Sequence, residues 1–191
     1  MQREESLLKI AHHHLRTLTR EQAEDIMLKF FKSPLKPSLE KQLNITVIAQ
    51  WNTHRAPEDL NPGNPIYRPI LVDHMRDNFK GATNEYLLHY LRNKMKLEVD
   101  SIEGESTKWL ACPVCDYRTF YERGTWLVCG VCGWNSDPMQ EAKGMENEPI
   151  GANGVSLNQA RKNFAEFGLA NSGLEDTVEP DGKLKYPRSS Q

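Results

Sequence analysis

The sequence has no long apolar run and no recognisable targeting segment. None of its segments approaches the roughly 18 consecutive apolar residues that a membrane helix needs. The first stretch, MQREESLLKIAHHHL, begins with charged residues and lacks the apolar core of a secretory signal peptide. These absences predict a cytoplasmic protein with no membrane partner, and thiols stay reduced in that compartment.

An excess of positive charge is also missing. The 191 residues include 24 Lys and Arg against 26 Asp and Glu, which gives a formal net charge of −2. Proteins that bind the phosphate backbone of nucleic acid need a cationic surface. The charge balance therefore disfavours nucleic acid as a partner, although it leaves room for a local basic stripe.

The sequence contains no recognised motif of an enzyme active site. It lacks H-E-x-x-H, the P-loop, G-x-S-x-G and G-x-G-x-x-G. The consecutive residues His12, His13 and His14 would project about 100° apart on a helix, so they could not converge on one metal ion. We expect a solvated helix face at these positions and a protein that is not an enzyme.

Apolar periodicity predicts helices in the first half of the chain. They are expected over 3–16, from Thr19 with Gln22 in a capping box, from Ser38 onward, over 69–80 and after Thr83. The segment ITVIA, within the third of these, is rich in β-branched residues and is also compatible with a short strand.

The pattern changes near residue 97. KLEVDSIEGE alternates apolar and polar residues, which predicts a strand. RTFYERGTWLV predicts a hairpin that turns at 122–124, and a helix follows from Ser156 to Gly168. The predicted fold class is α+β. It comprises a mainly helical domain at 1–96, a zinc-ribbon-like β-hairpin module with a packing helix at 97–168, and an extended tail at 169–191.

All the cysteines lie in one segment, CPVCDYRTFYERGTWLVCGVCGW. They form two C-x-x-C pairs, Cys112 with Cys115 and Cys129 with Cys132. A C-x-x-C pair on a tight turn offers two thiolates to one ion, and zinc prefers four tetrahedral ligands. The segment therefore predicts one structural Zn²⁺ bound by these four cysteines.

The residues around the cysteines favour such turns over other uses of the thiols. The residue after each pair needs a left-handed backbone, which Gly133 adopts freely and Asp116 tolerably. Haem attachment would require a histidine directly after a C-x-x-C pair, where Asp116 and Gly133 stand instead. A thioredoxin-like site would open a helix, whereas Pro113 and Gly130 suit tight turns. Two disulfides would need an oxidising compartment, and an iron centre with the same four ligands stays open.

Aromatic residues surround the cysteine pairs. They could stack on single-stranded bases, or they could shield the sulfurs and pack on the helix predicted after Ser156. Few basic residues are interleaved with them, which favours packing. The aromatic residues are Tyr117, Phe120, Tyr121, Trp126 and Trp134.

The segments at 112–134 and 151–168 resemble the bacterial cysteine-rich CPCC proteins. LTREQAEDIMLKFF and FKGATNEYLLHYL look like the helical region that accompanies this motif in longer members. Val114 stands where the family has its third cysteine, which argues that the extra cysteine is not an essential ligand. Asn135 and Ser136 replace the acidic pair that usually follows the aromatic residue.

The resemblance implies no established enzyme activity. Some members accompany contact-delivered or secreted toxins, which implies an immunity protein that binds and neutralises a cognate toxin domain. The alternative is a zinc-ribbon accessory protein that binds RNA or single-stranded DNA. An active site hidden around the loop at 52–65 is the least favoured hypothesis.

Overall fold

The computed structural model describes residues 1–124 and 126–189. The chain divides into two compact units. The first comprises Met1–Lys80 and Leu88–Gly104, and the second comprises Gly81–Leu87 and the described residues from Glu105 onward. The domain boundaries that we placed at residues 96 and 168 stay predictions.

The first unit is helical. Helices α1 and α2 both pack on α5, and a 3₁₀ turn at Pro65–Tyr67 leads into α5. The core between them includes Ala11, Met27, Phe31, Val47, Ile70 and Met75. The helices are α1 (Arg3–Leu15), α2 (Arg20–Phe31), α3 (Pro37–Glu40), α4 (Ile45–Trp51), α5 (Arg68–Asp77) and α6 (Asn84–Asn93), of which α6 begins in the second unit and ends in the first.

Side-chain caps determine where several of these helices begin. Thr19 and Gln22 form the predicted capping box of α2, and the hydroxyl of Thr83 caps α6 as predicted. Asn44 caps α4 with its side-chain oxygen. ITVIA is therefore helical and not a strand, and the single helix predicted from Ser38 is two short helices because Asn44 starts a new one.

The strand predicted in KLEVDSIEGE is wrong. Within the described part of the chain, this segment makes one isolated bridge and joins no sheet. The carbonyl of Val99 accepts a hydrogen bond from Arg92 Nε at 2.7 Å, and the carbonyl of Ser101 accepts one from the amino group of Met1 at 2.9 Å. Val99 is buried, as the alternating pattern predicts. The Arg92 side chain and the Met1 amine, however, bond to carbonyls that a neighbouring strand would otherwise pair with.

The second unit contains a small antiparallel sheet formed by β1 (Leu110–Ala111) and β2 (Arg118–Phe120). These strands flank the first C-x-x-C pair, and a bridge between Val128 and Asn135 flanks the second. The predicted hairpin between the pairs includes Thr125, which lies outside the described residues. In the residues that the structure does describe, backbone pairing encloses each cysteine pair separately. The fold class is α+β, as predicted.

Helix α7 (Leu157–Phe167) follows the cysteine segment. Ser156 caps its start, and it ends at Gly168 with φ +84°, as predicted. The segment at 169–189, predicted as extended, contains a 3₁₀ turn at Glu175–Thr177 and the short helix α8 (Gly182–Lys185). Positions 190–191 of the predicted tail lie outside the described residues. Among the helices of the described chain, none combines the length and the apolarity of a membrane span.

Candidate metal centre

Two tight turns with the same hydrogen-bond pattern carry the four cysteines. In the first turn, the amide of Cys112 donates to the carbonyl of Tyr117 at 2.8 Å, and the amide of Asp116 donates to the carbonyl of Cys112 at 3.0 Å. In the second turn, the equivalent amides of Cys129 and Gly133 donate at 2.8 and 2.9 Å. The two C-x-x-C pairs of the sequence therefore repeat the same backbone geometry.

The residue after each cysteine pair has a left-handed backbone, as predicted. Asp116 has φ +66° and Gly133 has φ +79°. A Cβ atom at Gly133 would lie 2.9 Å from Leu174 Cδ1, so that position needs glycine for its contacts as well as for its backbone angle. The carbonyl of Asp116 accepts a hydrogen bond from the amide of Ser189 at 3.0 Å, which fixes the first turn from outside.

These turns bring the four sulfur atoms together in the interior of the second unit. The Sγ atoms of Cys112 and Cys132 are 3.7 Å apart, and those of Cys115 and Cys129 are 3.6 Å apart. All four sulfurs lie within 4.8 Å of one another, and all four residues are buried. They are free thiols, because a disulfide would require sulfurs about 2.05 Å apart.

The sulfur spacing fits one tetrahedral metal ion. Zinc–sulfur bonds of about 2.3 Å place tetrahedral sulfurs about 3.8 Å apart, close to the 3.7 and 3.6 Å separations. Thiolates suit soft and borderline ions such as zinc, and iron accepts the same four ligands. The cluster is a possible metal-binding site with the four cysteines as ligands.

Burial and hydrogen bonding affect the thiols unequally. Burial raises the pKa of Cys112 well above its ordinary value. Burial also opposes ionisation of Cys129, but hydrogen bonds with the other three thiols and with Thr119 outweigh it and lower the pKa of Cys129 well below its ordinary value. The surroundings therefore favour a thiolate at Cys129, and the thiolate is the form that binds metal.

An apolar shell surrounds the sulfurs. Phe120 and Trp134 are fully buried beside them. The indole nitrogen of Trp134 donates to Glu141 Oε1 at 3.1 Å, so this buried tryptophan has a hydrogen-bond partner. The apolar stripe of α7 in the sequence comprises Leu157, Ala160, Phe164 and Phe167, and one helix face was expected to pack all four. Phe167 is instead 47 % exposed. The residues of α7 that do pack in the shell are Leu157, Ala160 and Phe164.

The aromatic residues of the cysteine segment fall into packed and exposed groups. Trp134 is inaccessible for base stacking, and the ring of Tyr117 lies against the guanidinium of Arg188, 5.2 Å from the ring centroid. Tyr121 and Trp126 are instead 58 % and 56 % exposed. Trp126 also has φ +57°, a left-handed conformation that is unusual for a bulky residue.

The consecutive histidines make specific contacts in the first unit. The hydroxyl of Tyr90 forms hydrogen bonds with His13 Nδ1 at 3.2 Å and with His14 Nε2 at 2.9 Å. His13 and His14 are half-buried, which corrects the expectation of a solvated face for these two, whereas His12 is exposed. The sequence held no signal for this contact because Tyr90 lies on α6, far along the chain.

Residues 170–189 complete the surroundings of the cysteine turns, a contribution that sequence reasoning missed. The amide of Ala170 donates to the carbonyl of Cys132 at 2.7 Å, and the amide of Glu179 donates to the carbonyl of Gly130 at 2.8 Å. Both are backbone bonds, which side-chain patterns do not report. The sequence signal for this contact was Gly130, because a Cβ atom there would lie 2.7 Å from Glu179 Oε1.

Side chains of the same segment hold it in place. Glu179 accepts hydrogen bonds from Lys185 Nζ and from the hydroxyl of Tyr186, each at 2.6 Å. Burial, followed by the neighbouring Glu179 carboxylate, raises the pKa of Tyr186 well above its ordinary value. Tyr186 therefore stays protonated and keeps donating to Glu179.

Comparison with known proteins agrees with the location of this centre. Residues 110–183 match the family model described as cysteine-rich CPCC. That range covers both cysteine pairs and α7, and it extends beyond residue 168, where the resemblance noted in the sequence ended. The segments at 18–31 and 79–91 lie outside it. No curated protein and no solved structure matches the chain.

Proposed function

We propose that the chain is a non-catalytic protein that holds one structural Zn²⁺ through its four cysteines. The observation that carries this proposal is the set of four buried thiols within 4.8 Å of one another, on two turns with matching hydrogen bonds. Four sulfur ligands complete the tetrahedron of zinc and leave no open position for water or substrate. A site of this composition stabilises structure.

The metal would supply most of the stability of the surrounding module. Strands β1 and β2 have only 2 and 3 residues, so the sheet alone provides little cooperative structure. Structural zinc sites in small modules contribute about 10–16 kcal/mol, which is comparable with the about 5–15 kcal/mol stability of a whole domain.

Metal analysis of the reduced, freshly purified protein tests this proposal. We expect about one equivalent of zinc per chain in the wild type and less than about half an equivalent in Cys129→Ser, because one ligand is lost. Val114→Ala is the matched control, since Val114 lies between the ligands of the first turn and provides no donor. A wild-type content below about half an equivalent would contradict the proposal.

We further propose that the metal-held module binds a protein, namely a cognate bacterial toxin domain that it neutralises as an immunity protein. The resemblance to CPCC proteins motivates this partner. Support comes from Tyr121 and Trp126, whose exposed rings lie between the two cysteine pairs. Tyrosine and tryptophan are frequent anchors of protein interfaces.

Co-expression with the protein encoded next to this one tests the partner. We expect that the neighbour is toxic alone, that this chain relieves the toxicity, and that the two form a complex. Trp126→Ala is expected to weaken the complex by at least about tenfold. Ile45→Ala, at a 75 % exposed position of the first unit, is the control and should leave it unchanged. A harmless neighbour that forms no complex would refute the immunity role.

Binding of single-stranded nucleic acid is a second candidate, because Trp126 and Tyr121 are accessible for stacking. The basic residues nearby are engaged within the protein. Arg123 pairs with Glu141 at 3.0 Å, and Arg118 donates to the carbonyl of Trp109 at 3.0 Å. A salt titration with labelled oligonucleotides separates the candidates, because backbone binding strengthens as salt is lowered. Absence of binding at low salt eliminates this one.

A further inference from the structure

The hydrogen-bond donors around the sulfur cluster converge on one cysteine. Thr119 Oγ1 donates to Cys129 Sγ at 3.2 Å, and the amide of Val131 donates to the same sulfur at 3.4 Å. Cys129 is fully buried, and Thr119 is only 7 % exposed. The hydroxyl of Thr119 is therefore shielded from water, so its bond to sulfur faces little competition from solvent.

The local fold explains why this threonine reaches the sulfur. Thr119 is the central residue of β2, and its neighbour Phe120 pairs with Leu110 of β1. The amide of Thr119 is bonded to the carbonyl of Tyr117 at 3.0 Å, which fixes the backbone next to the first cysteine turn. A side chain of the first turn's sheet is thereby placed against a sulfur of the second turn.

A hydrogen bond at this position has a definite physical effect. Four thiolates around one divalent ion leave a net charge of −2 in a buried site, and a buried charge is costly unless donors stabilise it. Hydrogen bonds to charged groups are stronger than those between neutral groups. Replacing residues that contact metal ligands typically weakens metal binding about 10–100-fold.

We propose that Thr119 is a positioning residue of the metal centre, which orients Cys129 Sγ and stabilises its negative charge. The Val131 amide assists from within the second turn. This inference rests on the proposed zinc site and adds a determinant of metal affinity that is not itself a ligand. It also makes the two cysteine turns unequal, because Cys129 Sγ accepts hydrogen bonds from the Thr119 hydroxyl and from the Val131 amide.

Zinc affinity measured by competition with a chromogenic chelator tests the proposal on the full-length protein. Thr119→Val keeps the shape of the side chain and removes the donor, and it is expected to raise the zinc dissociation constant about 10–100-fold. Thr119→Ser restores the hydroxyl and should bind within about threefold of the wild type, a difference of about 0.7 kcal/mol. Thr17→Val is the control for losing a threonine hydroxyl away from the metal centre, since Thr17 lies in the first unit and donates to the carbonyl of His14 at 3.0 Å, and it should leave the affinity unchanged.

Cobalt substitution adds a readout that a purely structural role would not move. A hydrogen bond lowers the energy of sulfur electrons, so its loss should shift the sulfur-to-cobalt charge-transfer band of Thr119→Val to longer wavelength. Thr119→Ser should restore the band. Equal zinc affinity in the wild type and Thr119→Val, or an unshifted band, would refute the role of Thr119 and would leave the zinc site standing. A wild type that binds no metal would overturn the zinc site and this inference together.

Discussion

At the scale of single residues, backbone angles link the sequence to the metal centre. Left-handed geometry at Asp116 and Gly133 was predictable because few residue types tolerate it. The same geometry at Trp126 was not predictable, since nothing about a tryptophan indicates it. Residue identity thus reveals a special backbone position only where glycine, asparagine or aspartate occupies it.

Gly151 allows a direct test of one such position. It has φ +76°, and a Cβ atom there would collide with the buried carboxylate of Asp137. The other carboxylate oxygen of Asp137 accepts a hydrogen bond from the amide of Met139 at 2.9 Å, so rotating the Asp137 side chain out of the way would break that bond. The close approach therefore requires glycine.

We predict that Gly151→Ala lowers the free energy of unfolding more than Gly173→Ala does. Gly173 has a similar φ of +79° but no atoms near the position of a Cβ, so its substitution should cost only the left-handed penalty of about 1–2 kcal/mol. Gly151→Ala should cost about 1–3 kcal/mol more from overpacking. Urea denaturation of the metal-loaded variants measures the difference. Equal losses would contradict the proposed steric contact.

At the scale of elements, helix starts were predictable and sheet pairing was not. Thr19 and Thr83 cap their helices through bonds to residues in the next turn, and such bonds are encoded locally. A strand instead needs a partner, and the alternating pattern of KLEVDSIEGE does not reveal whether one exists. The carbonyl of Val99 bonds to Arg92 Nε, a contact that alternation cannot indicate.

Helix α5 carries a charged network with a half-buried histidine, His74. Lys36 Nζ donates to Asp73 Oδ2 at 2.7 Å and also contacts Asp77. Burial would raise the pKa of Asp77, but hydrogen bonds from Lys36 and Lys80 outweigh burial and lower it. Burial lowers the pKa of His74 below 6.5. Both groups therefore resist protonation more strongly in the folded state than in the unfolded chain.

We predict that stability falls in two steps as the pH is lowered. Below about pH 6.5 the unfolded chain binds a proton at His74 that the folded protein resists, so stability declines until the pH passes the lower folded pKa. Asp77 adds a further decline below about pH 3.8. Urea unfolding of the first unit between pH 7.5 and 5 measures the first step.

The matched variant for this measurement is His74→Gln, which keeps a polar side chain that does not titrate. It should show a shallower decline of stability between pH 7.5 and 5 than the wild type. Identical slopes in the two proteins would exclude His74 as the source of the first step.

At the scale of the whole molecule, the two compact units depend on different stabilising forces. Apolar packing of helices holds the first, whereas the described residues of the second surround the cysteine cluster. The sequence predicted a change from helices to strands near residue 97. It did not predict that Gly81–Leu87 would join the second unit, because the bond from the Thr83 amide to the Lys185 carbonyl, 2.9 Å long, joins positions far apart in the chain.

We predict that removing the metal unfolds the second unit and leaves the first folded. A strong chelator should abolish the near-ultraviolet circular dichroism of Trp109 and Trp134, which belong to the second unit, because their surroundings lose order. Far-ultraviolet helix signal should largely persist, since α1, α2 and α5 lie in the first unit. Restored zinc should recover the spectrum, and magnesium, which prefers oxygen ligands, should not. Full loss of helix signal on chelation would contradict independent stability.

The contacts of residues 170–189 with the cysteine turns have a consequence for biosynthesis. The carbonyl of Pro187 accepts from the amide of Arg118 at 2.9 Å, so the first turn is covered by a segment translated long after it. At about 5–20 residues per second, roughly 3–11 seconds separate the translation of Cys132 from that of Ser189. During that interval the residues that cover the first turn do not yet exist, so the cysteine pairs must be kept available for metal without this cover.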